Sequence, residues 1–137
     1  MSHSDGDLVL RVMTMPRDTN HSGTVFGGVI MSYIDQAAYA HARTHGLHRW
    51  VTVVVERVEF VAPVNVGELV SLRATTLAKG RTSVTIRILV EAERYSTGRC
   101  VRVTDAIVKM VALDANHKPI PFTNPPTLAD DDGLAIS

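Results

Sequence analysis

The sequence predicts an α+β fold in which one long helix is wrapped by a curled antiparallel sheet of about five strands. Three observations predict it. A stretch near residues 25–45 has a helical pattern and contains no proline. The segments that follow are rich in β-branched residues and are separated by short turns. The helical stretch is rich in Gly and Ala, whose small side chains suit close packing inside a wrapped sheet.

The elements follow in order along the chain. A first strand is predicted from Asp7 to Met15, and a loop rich in turn-forming residues from Pro16 to Gly23. The helix is expected over about Val25 to His45, with Gly46 as its C-terminal stop. The four later strands are predicted at Trp50–Val61, Leu69–Ala78, Thr82–Arg94 and Cys100–Leu113.

The length of 137 residues is that of one domain, which we expect over residues 1–118. Residues 119–137 contain four prolines and an acidic run at 130–132, and we expect a coil tail there. Long unpaired strands at the edges of such a sheet invite partner subunits. We therefore expect at least a homodimer, with a tetramer or a hexamer as the larger alternatives.

Composition limits the class of function. Apolar residues make up 45% of the chain and charged residues 20%, as in globular proteins. The 14 basic and 14 acidic residues balance, which argues against nucleic acid as a partner. We see no secretory signal and no apolar run of the ~20 residues that span a bilayer, so no membrane insertion is expected. We expect a cytoplasmic protein, and we expect the single cysteine, Cys100, to be a small buried strand residue.

Asp35 is the first candidate for chemistry. On the predicted helix it shares a row with Met31 and Tyr39, and it lies beside the apolar side rather than centrally on the polar one. Burying a lone carboxylate is costly unless something pairs with it or uses it. Asp35 is therefore a site candidate, and a solvated residue at the boundary of the helix is the plain alternative.

Gly27 and Gly28 stand where the loop meets the helix. Glycine at this place weakens a helix, so we expect a compensating role. Free N–H groups at a helix N-terminus attract negative charge, and without a side chain a ligand oxygen can approach them closely. A carbonyl that becomes an oxyanion would be stabilised there. The alternative is that the glycines only let the helix pack against the sheet.

The histidines do not predict a metal site. His41, His45 and His48 are spaced by four and three residues, so the first two would share a helix face. A zinc site needs further ligands and groups that orient them, and the sequence has neither an HExxH motif nor a second cysteine. We interpret Tyr33 and Trp50 as packing residues.

The stretch from Met15 to Ala38, MPRDTNHSGTVFGGVIMSYIDQAA, is similar to the signature of bacterial short- and medium-chain acyl-CoA thioesterases of the hot-dog superfamily. VTVVVERVEFVAPVNVGE and KGRTSVTIRILVE resemble the same family, so the likeness covers roughly Leu8 to Asp114. The spacing of Asn20, Gly27 and Asp35 is similar to the family's catalytic pattern. The resemblance implies a hot-dog fold and an enzyme that hydrolyses acyl-CoA to free CoA and a carboxylic acid.

The resemblance also implies roles for single residues. The Gly27 amide would polarise the thioester carbonyl, Asn20 would help to hold it, and Asp35 would direct the attacking water. Direct attack by the carboxylate to give an anhydride remains open. Thr52 matches the position of a hydroxyl residue that, in the family, orients the aspartate or the water. The alternative is that Thr52 is an ordinary β-branched strand residue. No metal or redox cofactor is implied, because CoA is part of the substrate.

Gly27 and Asp35 are too far apart to serve one carbonyl from one helix. They are separated by eight positions, or about 12 Å of helical rise. Two antiparallel helices from two subunits would bring Gly27 of one subunit beside Asp35 of the other. The resembled family places its sites at the dimer interface, so we expect composite sites, two per dimer.

CoA is expected to contact Gly28 and the hairpin residues Arg81, Thr82 and Ser83. In similar proteins this hairpin region approaches the CoA phosphates or pantetheine, and arginine and hydroxyl groups suit phosphate. A solvated hairpin is the alternative. Residues that are candidates to line an acyl pocket are Met31, Tyr33, Val53 and Phe60.

Three other functions compete with the thioesterase. A hot-dog hydratase or dehydratase would need a His–carboxylate pair, and the run from Asp18 to His21 does not have the expected spacing. A non-catalytic acyl-CoA-binding or regulatory module on the same fold is the principal alternative, since fold alone does not give function. Asn20 and Asp35 argue against that module, because a pure binder has no need of a carboxylate beside the thioester. The third alternative is a structural subunit, in which helix packing would explain the glycines.

Overall fold

The computed structural model describes residues 5–128, which form one α-helix and five strands. A 3-10 turn at Pro16–Asp18 lies within the predicted loop before the helix, and proline occupies its first position. The predicted fold class is confirmed. The elements are β1 (Asp7–Met13), α1 (Gly27–Ala42), β2 (Arg49–Phe60), β3 (Leu69–Lys79), β4 (Ser83–Glu93) and β5 (Cys100–Leu113).

The five strands form one antiparallel sheet in the order β1-β3-β4-β5-β2. The sheet curls around α1, which packs against all five strands. Side chains alternate along β3, β4 and β5, so the residues that face the helix are mostly apolar. The core between helix and sheet includes Ile30, Ile34, Ala37, Ala38, Leu72, Ile86, Ile88, Val108 and Met110.

The helix is shorter at both ends than the predicted Val25–His45. The N–H of Val25 donates to the carbonyl of Val64 over 2.8 Å, and this bond holds the residue outside the helix, against the loop that follows β2. At the other end, the N–H groups of Thr44 and His45 bond to carbonyls only three residues back. The last turn therefore tightens and the regular helix ends at Ala42.

Gly46 follows the helix as predicted, but its role is close packing. A Cβ atom on Gly46 would lie 2.5 Å from the carbonyl oxygen of Phe122. That same carbonyl accepts a 2.8 Å hydrogen bond from the buried His48 ring. Residues 119–128 are thus a coil packed over the end of the helix, whereas the acidic run at 130–132 lies outside the described residues. The division at residue 118 stays a prediction.

Two further expectations need correction. β1 ends at Met13, because the N–H of Thr14 leaves the ladder and donates to the carbonyl of Glu68. Cys100 is exposed rather than buried, because it is the first residue of β5, where the strand emerges from its turn. No helix within residues 5–128 is long and apolar enough to cross a membrane.

β2 forms one edge of the sheet, and among the described strands it pairs with β5 alone. It has 12 residues and most of them are exposed in the single chain. A long exposed apolar edge strand offers a row of free backbone groups to another chain. The exposed apolar side chains of this edge are Val51, Val53, Val54, Val55 and Phe60.

Candidate active site

Asp35 and Thr52 meet between the helix and the edge strand. The Thr52 hydroxyl lies 2.6 Å from Asp35 Oδ1 and 3.0 Å from Met110 Sδ. A hydroxyl has one proton, and a carboxylate is the stronger acceptor, so Thr52 donates to Asp35 and only contacts the sulfur. Within residues 5–128 the second oxygen of Asp35 has no hydrogen-bond partner, so it remains available to a ligand or to water. We call Asp35 and Thr52 the carboxylate half-site.

The carboxylate half-site opens onto a cleft of about 570 Å³. Asp35 itself is exposed in the single chain, because the buried face of α1 is centred on Ile34 and Ala38 and turns Asp35 outward. Asp35 nevertheless borders that buried face, because its helix neighbours Ile34, Ala38 and Ala42 are buried. It therefore lies beside the apolar side as predicted, at the solvated boundary of the helix in the single chain. The cleft is lined by Asp35, Gln36, Tyr39, Trp50, Val51, Thr52 and Met110.

The N-terminus of α1 forms a second feature. Its N-cap residue, Phe26, has no side-chain oxygen to accept the first amides. Within residues 5–128 the N–H groups of Gly27 and Gly28 have no acceptor, and both residues are exposed. They are free to bind an oxygen with partial negative charge. We call Gly27 and Gly28 the amide half-site.

The amide half-site borders a separate apolar cleft of about 350 Å³. The Phe60 ring stands 3.6 Å from the place where a Cβ of Gly27 would be. Of the four candidates for an acyl pocket, Phe60 alone lines this cleft, and Tyr33 is buried in the core instead. Tyr33 and Trp50 are both buried, which confirms their interpretation as packing residues.

Asn20 organises the loop that leads into the helix. Its Oδ1 accepts hydrogen bonds from the N–H of Ser22 at 2.9 Å and the N–H of Thr24 at 3.3 Å. Its Nδ2 donates to the Thr24 hydroxyl at 3.0 Å. The second Nδ2 hydrogen has no acceptor in the described part of the chain. Asn20 therefore shapes the segment before Gly27 and keeps one donor for a ligand.

The half-sites lie apart within one chain. Gly27 is at the first turn of α1, and Asp35 is about 12 Å further along the helix axis. The hairpin residue Ser83 pairs with Val111, which pairs with Val51, so the hairpin is two strands or ~10 Å from β2. The fold places the hairpin at the same end of the sheet as the carboxylate half-site, and Arg81 beside it is exposed.

Sequence reasoning missed two neighbours of Asp35 that line its cleft. Gln36 follows Asp35 on the helix, and its position next to a candidate carboxylate was an available signal. Met110 is 58 positions from Thr52, and their contact depends on the register of β2 against β5. No local pattern in the sequence encodes that register, so the sequence does not indicate that Met110 lies beside Thr52.

His41 and His45 share one partner. Their Nε2 atoms each lie 2.8 Å from the Thr76 hydroxyl, so one ring accepts its proton and the other donates to its oxygen. Burial lowers the pKa of His41 below the ordinary 6.5, against an opposing effect of Asp7. Burial, the neighbouring His41 and Lys79 lower the pKa of His45. No group of three or more metal-ligating side chains occurs within residues 5–128.

We expect this histidine pair to make the fold less stable in mild acid. The unfolded chain takes up protons near pH 6.5, whereas the folded chain resists them until a lower pH. Stability from this pair is complete above about pH 6.5 and declines as the pH falls below it. Urea unfolding at pH 7.5 and 5.5 measures the loss. His41→Gln with His45→Gln should reduce it, and the exposed control His21→Gln should not.

Comparisons with known proteins agree with this fold. The sequence model of the thioesterase superfamily matches residues 22–108 of this chain. The acyl-CoA thioester hydrolase YciA of Escherichia coli is 42% identical over 117 residues, 83% of this chain and 89% of that protein. The hexameric thioesterase y2039 from Yersinia pestis superposes with a TM-score of 0.83 at 38% identity, over 88% of this chain and 98% of that chain.

A second solved structure is an aspartate-to-alanine variant of HI0827, described as a hexameric broad specificity acyl-coenzyme A thioesterase. It superposes with a TM-score of 0.83 at 34% identity, over 89% of this chain and 90% of that chain. The chain belongs to the thioesterase superfamily. The resemblance to hot-dog-fold acyl-CoA thioesterases is thereby confirmed, and the chain is an enzyme of that class.

Proposed function

We propose that this enzyme hydrolyses acyl-CoA thioesters to free CoA and a carboxylic acid at sites shared by two subunits. The observation that carries the proposal is the hydrogen bond of 2.6 Å from Thr52 to Asp35 on an open cleft. A carboxylate held by one oxygen, with the other oxygen free, is suited to activate water. The unpartnered amides of Gly27 and Gly28 supply the complementary group that a developing oxyanion requires.

The composite site follows from the distance between the half-sites. The exposed apolar edge of β2 is the surface on which a second copy of the chain would continue the sheet. A two-fold axis there would set the helices antiparallel, so that Gly27 of one subunit faces Asp35 of the partner subunit. The hexameric relatives support larger assembly, and we propose that dimers of this chain associate further.

The reaction uses the groups of both half-sites. The thioester carbonyl oxygen accepts hydrogen bonds from the Gly27 amide, with Asn20 as a further donor. Asp35 takes a proton from water through the oxygen that Thr52 does not occupy, and the hydroxide adds to the carbonyl carbon. The tetrahedral intermediate then collapses, the C–S bond breaks, and the CoA thiolate leaves and takes up a proton. Attack by Asp35 itself, to give an anhydride that water cleaves, is the alternative course.

CoA contacts are proposed for two regions. Gly28 adjoins the amide that binds the carbonyl, and no atom of the described residues lies within 4 Å of where its Cβ would be, so substrate has room there. Arg81, Thr82 and Ser83 lie at the end of the sheet that carries the carboxylate half-site, and we assign them to the CoA phosphates. The mechanism needs no metal or redox cofactor, because CoA arrives as part of the substrate.

The test of the proposed function is release of free thiol from a series of acyl-CoAs, from acetyl-CoA to palmitoyl-CoA. We expect turnover by the wild-type protein, with a chain-length preference that the same series reports. Binding of the acyl-CoAs without thiol release would favour the non-catalytic module and would contradict the proposal.

We expect Thr52→Val to lower kcat about 10-fold with little change in KM, because a hydrogen bond to a charged group is lost. Valine keeps the β-branched shape of threonine, so β2 should be preserved. Thr52→Ser, which keeps the hydroxyl, should retain most of the activity. Steady-state kinetics on one acyl-CoA measure both variants, and equal kcat for Thr52→Val and wild type would remove Thr52 from the mechanism.

A further inference from the structure

We infer that Glu68 and Arg94 are positioning residues for the amide half-site, although neither belongs to it. Their ion pair fixes the loop after β2, and that loop holds the segment that presents the Gly27 amide. The inference rests on the proposed function, since it concerns the geometry of the same oxyanion-binding group.

The carboxylate of this ion pair is almost fully buried. The Glu68 side chain is 4% exposed, and Arg94 Nη1 donates to its Oε1 over 2.8 Å. The same Nη1 donates to the carbonyl oxygen of Pro63 over 3.0 Å. Arg94 thus joins the end of β4 to the loop between β2 and β3. A buried carboxylate that loses its partner destabilises its surroundings strongly.

Glu68 in turn bonds to its own loop. Its Oε1 accepts the backbone N–H of Asn65 at 2.8 Å, and its Oε2 lies 3.4 Å from Asn65 Nδ2. The Thr14 hydroxyl lies 2.8 Å from the Asn65 carbonyl oxygen, on the other side of the loop. Both carboxylate oxygens are therefore engaged in fixing Asn65.

Asn65 and its neighbour hold the segment before the helix. Thr24 forms an antiparallel bridge with Asn65, and the N–H of Val25 donates to the Val64 carbonyl over 2.8 Å. Gly27 begins the helix two residues later. Because Phe26 provides no side-chain cap, these backbone bonds set where the first turn starts. The chain of contacts therefore runs from Arg94 through Glu68 and Asn65 to Gly27.

A small displacement of this amide has a large effect on rate. A 1 Å misplacement of a group that positions the reacting atoms can cost ~100-fold. Glu68→Gln keeps the shape of the side chain, but its NH2 group then faces a donor of Arg94 or Asn65 that the carboxylate had accepted. We therefore expect kcat to fall by at least ~10-fold, with a smaller change in KM.

The matched control is the ion pair of Arg87 and Asp105. Arg87 Nη2 donates to Asp105 Oδ2 over 2.8 Å, and this ion pair joins the adjacent strands β4 and β5. Among the described residues, neither side chain hydrogen-bonds to the loop between β2 and β3. Asp105→Asn should lower thermal stability and leave kcat close to that of the wild type. Kinetics are measured well below the unfolding temperature of every variant, so that a loss of folded enzyme does not imitate a loss of kcat.

Hydrogen exchange gives a second readout that is independent of turnover. In Glu68→Gln the amide of Val25 should exchange faster, whereas amides in the centre of β4 should stay protected. Arg94→Lys, which keeps a donor, should restore part of kcat relative to Arg94→Met. The pH profile of kcat should keep its shape in all these variants, because Asp35 is unchanged.

The inference is overturned if Glu68→Gln keeps the wild-type kcat, or if Asp105→Asn lowers kcat equally. Unchanged exchange at Val25 would also overturn it, whatever the activity. Failure of the proposed function is distinct, since wild-type protein would then release no thiol. The exchange experiment would still decide whether Glu68 positions the loop.

Discussion

Replacing Asp35 by alanine should lower kcat for acyl-CoA hydrolysis by ~100-fold or more, the scale for removing a positioned base. Asp35 accepts the hydrogen bond of the Thr52 hydroxyl through one oxygen, and the residue lines the open cleft. KM should change less, because Asp35 acts on water rather than on the CoA portion. Rates from thiol release, with size-exclusion chromatography to confirm unchanged assembly, measure the effect.

Asp35→Asn is the control for shape. The asparagine oxygen can still accept the Thr52 hydroxyl, but the side chain cannot take a proton from water. Asp35→Asn should therefore be nearly as slow as Asp35→Ala. If either variant turned over at the wild-type rate, thioesterase activity would stand and Asp35 would have to be removed from the mechanism.

Replacing Gly27 by proline should lower kcat by about 100- to 1,000-fold, the scale for removing one oxyanion donor. Proline has no N–H, yet the first position of a helix is where proline is well tolerated. Phe26 has φ −59° and ψ 139°, which is the conformation that a residue before proline prefers. The substitution therefore deletes the donor with little strain on the backbone.

Gly27→Ala is the matched control. It keeps the amide and adds a Cβ that would lie 3.6 Å from the Phe60 ring, an ordinary contact. Alanine should therefore retain most of kcat, and circular dichroism should show an unchanged helix in both variants. Equal activity of the proline and alanine variants would show that the Gly27 amide does not stabilise the oxyanion.

The fold was predictable because its signals are local. Alternating β-branched residues, small residues on one helix and turn residues between segments all specify the same wrapped arrangement. The prediction erred at positions whose local structure is set by contacts with residues that are distant in the sequence. Val25 is drawn out of the helix by Val64, and Gly46 is required by the approach of Phe122.

The site was predictable in part and for a different reason. Asn20, Gly27 and Asp35 carry the motif of the family, and the motif lies within one segment of the chain. The contact between Asp35 and Thr52 spans 17 positions and depends on how β2 lies against the helix. Glu68 and Arg94 were not predicted, because an ion pair between a loop and a strand end has no sequence pattern of its own.

The central claim is that Gly27 and Asp35 act together from different subunits, and mixing two inactive variants tests it most directly. Gly27→Pro and Asp35→Ala are co-expressed with different tags, and the mixed oligomers are isolated. A mixed dimer has one site with both groups intact and one with neither, so about half of the wild-type activity should return. If both groups belonged to one chain, every site would lack one group, and the mixed oligomers would remain inactive.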